Sequence, residues 1–158
     1  MKTITTFNKN LITQDMKVNL KSGVDKLLFG MKQNDVKAVY GEPDREYKDD
    51  ENNVIYVYNE RKMRLTFYED EDLKLGYIIS SHPDLELFSH KVIGKKWTEV
   101  ASLMKDNKVN SFEKEPYDIT DNYFNEDNWI IFQVEFEEVN TLEVGAVFNS
   151  NDEFDWKF

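Results

Sequence analysis

Apolar side chains along this chain follow two periods. Over residues 30–44, Val36, Val39 and Tyr40 fall at i, i+3, i+4 spacing, which makes one stripe of a helix. Asp35 lies in the first turn, where negative charge suits the helix dipole. Gly41 then offers a positive-φ stop, and Pro43 forbids continuation. The spacing predicts a helix of about ten residues. Beyond a polar loop at 46–53 the period drops to two. Residues 54–59 are β-branched and aromatic, Glu60, Arg61 and Lys62 form a charged turn, and residues 63–68 alternate apolar and polar. An acidic turn at 69–72 leads into a third strand at 73–80. This is the pattern of an antiparallel meander.

The plan recurs. Gly94, Lys96, Glu99, Val100, Leu103 and Met104 overlay Gly30, Lys32, Asp35, Val36, Val39 and Tyr40 without a gap, 64 residues further on. A polar loop at 118–127 follows, then a long strand at 129–138 and another at 142–148. The order glycine, helix, loop, strand, strand is that of a tandem duplication. His82, Pro83 and Asp84 mark the boundary. The expected fold is α+β: two tandem units of short helices packed on an antiparallel sheet, an arrangement that one continuous sheet with an open face accommodates. The first unit, with an N-terminal extension, covers residues 1–84 and the second 85–158. Residues 85–92 read as a connecting strand, and the weak alternation of Ile4, Thr6, Leu11 and Thr13 as an edge strand.

Alternation sorts the faces. Ile55, Val57, Met63, Leu65 and Phe67 in the first unit, and Ile130, Phe132, Val134 and Phe136 in the second, suit the helix-covered side. The open face then carries Val54, Tyr56, Tyr58, Arg64, Thr66 and Tyr68, with Trp129, Ile131, Gln133, Glu135, Glu137 and Glu143 beside them. Aromatic anchors flanked by charge are what protein interfaces use.

Charge sharpens this. Lys and Arg number 20 against 31 Asp and Glu, a net charge of −11. Residues 101–158 carry 14 acidic and 4 basic side chains, so nearly all of the excess lies in the last third. Such a chain repels a nucleic-acid backbone and steers toward a basic partner. There is no cysteine and there are two histidines. That excludes disulfides, thiolate metal sites and cysteine nucleophiles, and it leaves no histidine-rich metal centre. Neither acidic turn fits the EF-hand spacing. No phosphate-binding glycine loop and no nucleophile elbow is present. Ser81–His82 and Ser89–His90 are neighbours along the chain, so their side chains diverge in a strand. No cofactor, metal or catalytic residue is expected. No apolar run approaches a membrane span and no signal-peptide core follows the N-terminus, so the expected location is the cytoplasm.

The segment 30–44, GMKQNDVKAVYGEPD, resembles the superfamily of the β-lactamase inhibitor proteins and of the small lipoproteins that assist outer-membrane β-barrel assembly. The resemblance implies two helix-plus-sheet units and target binding by an aromatic-rich sheet face. Lys32 stands where that family has Ser or Thr, and no cysteine is available for lipidation. In size and acidity the chain is also similar to bacterial immunity proteins of polymorphic-toxin systems. The function expected is stoichiometric inhibition of a basic, nuclease-type toxin by a cytoplasmic immunity protein. Tyr56, Tyr58, Tyr68 and Trp129 would anchor the toxin, and Gln133, Glu135, Glu137, Glu138 and Glu143 would pair with its cations. Two alternatives stand beside it: a small-ligand protein with a pocket between the units, and a structural module of a larger complex.

Overall fold

The computed structural model describes residues 16–158. Two short hairpin-like sheets accompany one large sheet. β1 (Val18–Asn19), β2 (Gly23–Val24) and β3 (Leu27–Leu28) form the first small sheet. β8 (Glu86–Leu87) and β9 (His90–Lys91) form the second. The connecting strand expected at 85–92 is therefore a short hairpin. Ile4, Thr6, Leu11 and Thr13 lie outside the described residues.

Helices α1 (Gln33–Tyr40) and α2 (Trp97–Asp106) fall where the apolar stripes place them. The Lys32 N–H donates to Asp35 Oδ2 at 2.9 Å, so the early acid satisfies an orphan donor at the helix start. Gly41 ends α1 at φ 79°, ψ −168°, a conformation essentially restricted to glycine.

Each helix precedes a four-stranded meander. After α1 come β4 (Arg45–Lys48), β5 (Val54–Tyr58), β6 (Met63–Tyr68) and β7 (Lys74–Ser80). After α2 come β10 (Glu113–Tyr117), β11 (Thr120–Asn125), β12 (Ile130–Glu135) and β13 (Glu138–Gly145). The meanders join through their last strands, giving one eight-stranded antiparallel sheet in the order β10-β11-β12-β13-β7-β6-β5-β4. The fold is α+β. Both helices lie on one face: Gln33 on α1 bonds Tyr56 of β5, and Trp97 on α2 packs on Phe132 of β12. The core between comprises Val36, Leu65, Phe67, Ile78, Val100, Met104, Ile130, Phe132, Val134, Leu142 and Val144, all buried.

Alternation places β6 and β12 correctly and β5 incorrectly. Tyr56 pairs with Leu65 and Tyr58 with Met63, so Val54, Tyr56 and Tyr58 share the core face with Met63, Leu65 and Phe67. The reason is parity. The β5–β6 loop holds four residues, Asn59 to Lys62, so facing residues have numbers of opposite parity. Tyr56 is 0% exposed, edge-on to Phe67 at 4.8 Å, and its hydroxyl accepts from Gln33 Nε2 at 2.9 Å. Tyr58 donates to the Gly41 carbonyl at 2.8 Å. Neither belongs to the open face. Ile55 and Val57 do, together with Arg64 and Thr66.

Three further expectations change. The polar stretch at 118–127 contains β11, and β4 runs on into the stretch at 46–53 read as loop. The long strand expected at 129–138 is broken by a turn at Phe136 and Glu137, both at positive φ. Phe136, expected in the core, is instead 85% exposed.

Because Tyr56 fills the core, Tyr56→Ala should cost about 3–5 kcal/mol in denaturant unfolding. Thr66→Ala on the opposite face should cost no more than about 0.5 kcal/mol.

Candidate functional site

The face away from the helices divides by charge. Rows across the sheet are read from the register. One row runs Arg45, Val57, Arg64, Ile79, Glu143, Ile131, Phe124, Glu113. The next runs Tyr47, Ile55, Thr66, Tyr77, Gly145. Basic side chains occupy β4 and β6, and acidic ones occupy β10 to β13.

The middle of this face is a hydrogen-bonded knot. Glu143 accepts from the Tyr77 hydroxyl at one carboxylate oxygen and from Gln133 Nε2 at the other. Burial first, and then the Glu143 carboxylate, drive the Tyr77 phenol far above its ordinary value. Gln133 and Glu143 thus meet as expected, but they hold one another rather than projecting outward.

Two glycines shape the surface beside the knot. A side chain at Gly145 would run into the Trp129 indole, whose Cδ1 lies 2.4 Å from an ideal Cβ. One at Gly76 would strike the Tyr68 ring, 2.1 Å away. Each aromatic closely approaches a glycine on the neighbouring strand, where no side chain would fit. Trp129 reaches its place because the preceding loop is fixed by buried Asn125. The Asn125 Oδ1 accepts the Asn128 N–H at 2.9 Å, while its Nδ2 donates to the Ser111 carbonyl at 2.9 Å. Trp129 also meets Phe124 edge-on at 5.0 Å. Tyr68 touches Phe154 of the C-terminal segment at 5.7 Å, and Phe154 stacks on Phe148 and Trp156. Both rings are half-buried parts of the surface rather than free anchors.

The three most exposed large apolar side chains among the described residues are elsewhere, at one end of the acidic half. Phe136 (85% exposed), Tyr117 (72%) and Ile119 (66%) occupy the β12–β13 and β10–β11 turns. These turns adjoin, since Thr120 pairs with Glu135. Phe136 and Glu137 are the central residues of a two-residue turn between paired Glu135 and Glu138, with φ of 52° and 68°. Two positive φ values mark a type I′ turn, which normally takes Asn-Gly. The turn is held from behind, where the Trp97 N–H at the start of α2 donates to the Glu137 carbonyl at 2.8 Å. Trp97 stacks on Tyr123 at 4.2 Å. Glu135, Glu137 and Glu138 therefore share one turn, and Asn140 Nδ2 donates to Glu135 at 2.9 Å. Sequence alternation missed this tip because Phe136 continues the apolar register of β12. The mark of a break was the unalternating Phe-Glu-Glu that follows Glu135.

The histidine rings bond to backbone. His82 Nδ1 accepts the Asp84 N–H at 3.0 Å, and His90 Nδ1 lies 2.8 Å from the Phe88 carbonyl. Burial, against the opposing pull of Asp84, lowers the His82 pKa from its ordinary value. Among the described residues no helix is long and apolar enough to cross a membrane.

No protein-family model matches the chain, and no curated protein sequence does. Solved structures share the fold. The chain is similar to an extracellular protein containing an SCP domain from Bacillus anthracis, at TM-score 0.51 and 16% identity, over 73% of this chain and 43% of that one. It is also similar to a DUF4309 family protein from Bacillus subtilis, at TM-score 0.51 and 17% identity, over 87% of this chain and 91% of that one. The chain thus spans less than half the length of the SCP-domain protein.

Gly145→Ala should lift the Trp129 indole off the sheet. The expected readout is a red shift of tryptophan emission and a loss of about 1–3 kcal/mol. A second prediction concerns alkali. Burial first, then Tyr56 and Glu42, push Tyr58 up to about 12, and burial does the same for Tyr68. The unfolded chain releases these protons near the ordinary value of 10.0, and the folded chain keeps them. Stability should therefore be full below pH 10 and fall as pH rises toward about 12. Tyrosinate absorbance should show some phenols ionising only near the upper end.

Proposed function

We propose that the chain is a non-catalytic protein-binding module, a tandem duplicate whose second unit docks a basic partner protein. One observation carries the reading: an apolar tip of Phe136, Tyr117 and Ile119 projects into solvent, rimmed by Glu135, Glu137 and Glu138. Large exposed aromatics ringed by charge are the composition of an interface centre and its rim. Two further facts support it. Paired Glu135 and Glu138 face one another as like charges, an arrangement that disfavours the free state and that a partner's cation would relieve, although Lys96 also lies opposite Glu138. The positive φ at Phe136 and Glu137 adds about 1 kcal/mol of strain per residue, and strain of this kind concentrates at functional sites. Support for duplication comes from the helices, which begin 64 residues apart at Gln33 and Trp97 and each lead a four-stranded meander.

The role most in keeping with this surface is stoichiometric inhibition. The tip enters a basic substrate cleft and its carboxylates pair with the cations there, as an immunity protein does against a nuclease-type toxin in the cytoplasm. Glu143 and Gln133 act within the fold, keeping the neighbouring face rigid. The fold likeness to an extracellular protein favours a second reading, in which the same tip works outside the cell. Fractionation of the native cells decides between the two locations.

The chain and its Phe136→Ser variant should be compared as baits in the native lysate. A basic protein retained near 1:1 by the parent and lost by the variant is the expected result. Identical capture by both would sink the proposal. Separately, replacing Phe136-Glu137 by Asn-Gly should raise stability by about 1 kcal/mol and the melting temperature by about 2–4 °C. The same change should abolish partner binding.

A further inference from the structure

A groove of about 520 Å³ runs across the open face from β4 to β12, away from the acidic tip. Arg45, Lys62 and Arg64 line it, and no carboxylate does. In a chain of net charge −11 this is a local reversal of sign. Arg45 and Arg64 share a row, one strand apart on either side of Val57, so their Cα atoms are about 10 Å apart. Lys62 lies two residues from Arg64, where the β5–β6 loop ends.

The three cations are uncommitted. Among the described residues none of them forms an ion pair. Arg45 has only the face of Tyr47, 5.1 Å from the ring centre. Two nearby carboxylates are engaged elsewhere: Asp44, beside Arg45 in the chain, accepts the Asn59 N–H at 2.7 Å, and Glu143, on the same row as Arg64, accepts from Tyr77 and Gln133. Half-buried Val57 lies between the guanidiniums and half-buried Ile79 lies beyond Arg64, an apolar base over which charge is poorly screened. Ser81, Thr141 and Gln133 at the far wall offer hydroxyl and amide groups. Lys62 is held in place, since its carbonyl accepts the Ser81 N–H at 3.1 Å.

We infer that this groove binds a small soluble ligand with two or more linked phosphoryl groups. Planar guanidiniums match the paired oxygens of a phosphoryl group. Two guanidiniums and an ammonium set around a floor about 10 Å wide need more than one anionic centre to satisfy them. A single-charge ion would leave two of the three unpaired. This site is independent of the acidic tip, which lies on the other half of the sheet.

The probe is inorganic tripolyphosphate, titrated calorimetrically into the full chain at moderate salt, with sulfate at matched ionic strength as control. Saturable 1:1 binding of tripolyphosphate, with sulfate much weaker, is expected. Arg64→Gln and Arg45→Gln should each weaken it by about tenfold or more, while Phe136→Ser leaves it unchanged. Both arginines are exposed, and far-UV circular dichroism with a thermal melt checks that the variants stay folded. No saturable binding, equal binding of sulfate, or unchanged affinity in both arginine variants would overturn the assignment. Light scattering adds one more outcome. A dimer that Arg64→Gln dissolves would mean that the acidic half of a second copy fills the groove, and that too would overturn it.

Discussion

Four residue pairs make the two meanders into one sheet. Leu142 faces Ser80, Glu143 faces Ile79, Val144 faces Ile78 and Gly145 faces Tyr77. Every surface described above depends on this seam. On the core side it sets Leu142 and Val144 against Ile78 and joins the cores beneath the two helices. On the open side it brings Tyr77 to Glu143 and so fixes the knot at the centre of the face. Its one buried polar side chain is satisfied. Ser80 Oγ donates to the Arg61 carbonyl at 3.3 Å and accepts the His82 N–H at 3.2 Å. A buried hydroxyl without such partners would weaken the junction on which both halves rely.

The seam also keeps two charge regimes apart on one face. Basic residues lie on the β4–β6 side and acidic residues on the β10–β13 side, with hydrogen-bonded Tyr77, Glu143 and Gln133 as the boundary between them. The ligands proposed for the tip and for the groove would therefore engage different groups. The tip and the groove differ in construction as well. The tip projects from two strained turns beyond the strand ends, whereas the groove is cut into the flat of the sheet.

Much of this was legible in the chain. Both helices follow from Val36, Val39 and Tyr40 and from Val100, Leu103 and Met104, because a stripe at helical spacing has one good solution. β6 alternates cleanly, and its alternation gives the correct face. What failed did so for definable reasons. Alternation cannot count a loop, and four residues between Tyr58 and Met63 sent two tyrosines from the open face into the core. β10 and β11 lie at the edge of the sheet, where strands of Glu, Lys, Asp and Asn need no apolar period. Phe136 was assigned to the core because nothing in its type announces a type I′ turn. The glycines under Trp129 and Tyr68 carry no pattern at all. Their role is a contact between strands that only the register reveals.

The seam has a consequence for how the chain is made. It joins residues 77–80 to residues 142–145, the last strand of each half. During synthesis β7 leaves the ribosome with Ile78 and Ile79 on an unpaired edge and waits for some 65 further residues. At typical elongation rates that interval is about 3–13 seconds. Over that time the first half presents a ready template for any other extended chain. The β-bulge opposite Thr66 and Phe67 kinks the exposed strand near Gly76, so it is less than a flat edge. The order of translation thus gives this fold a vulnerable period that ends only when β13 arrives.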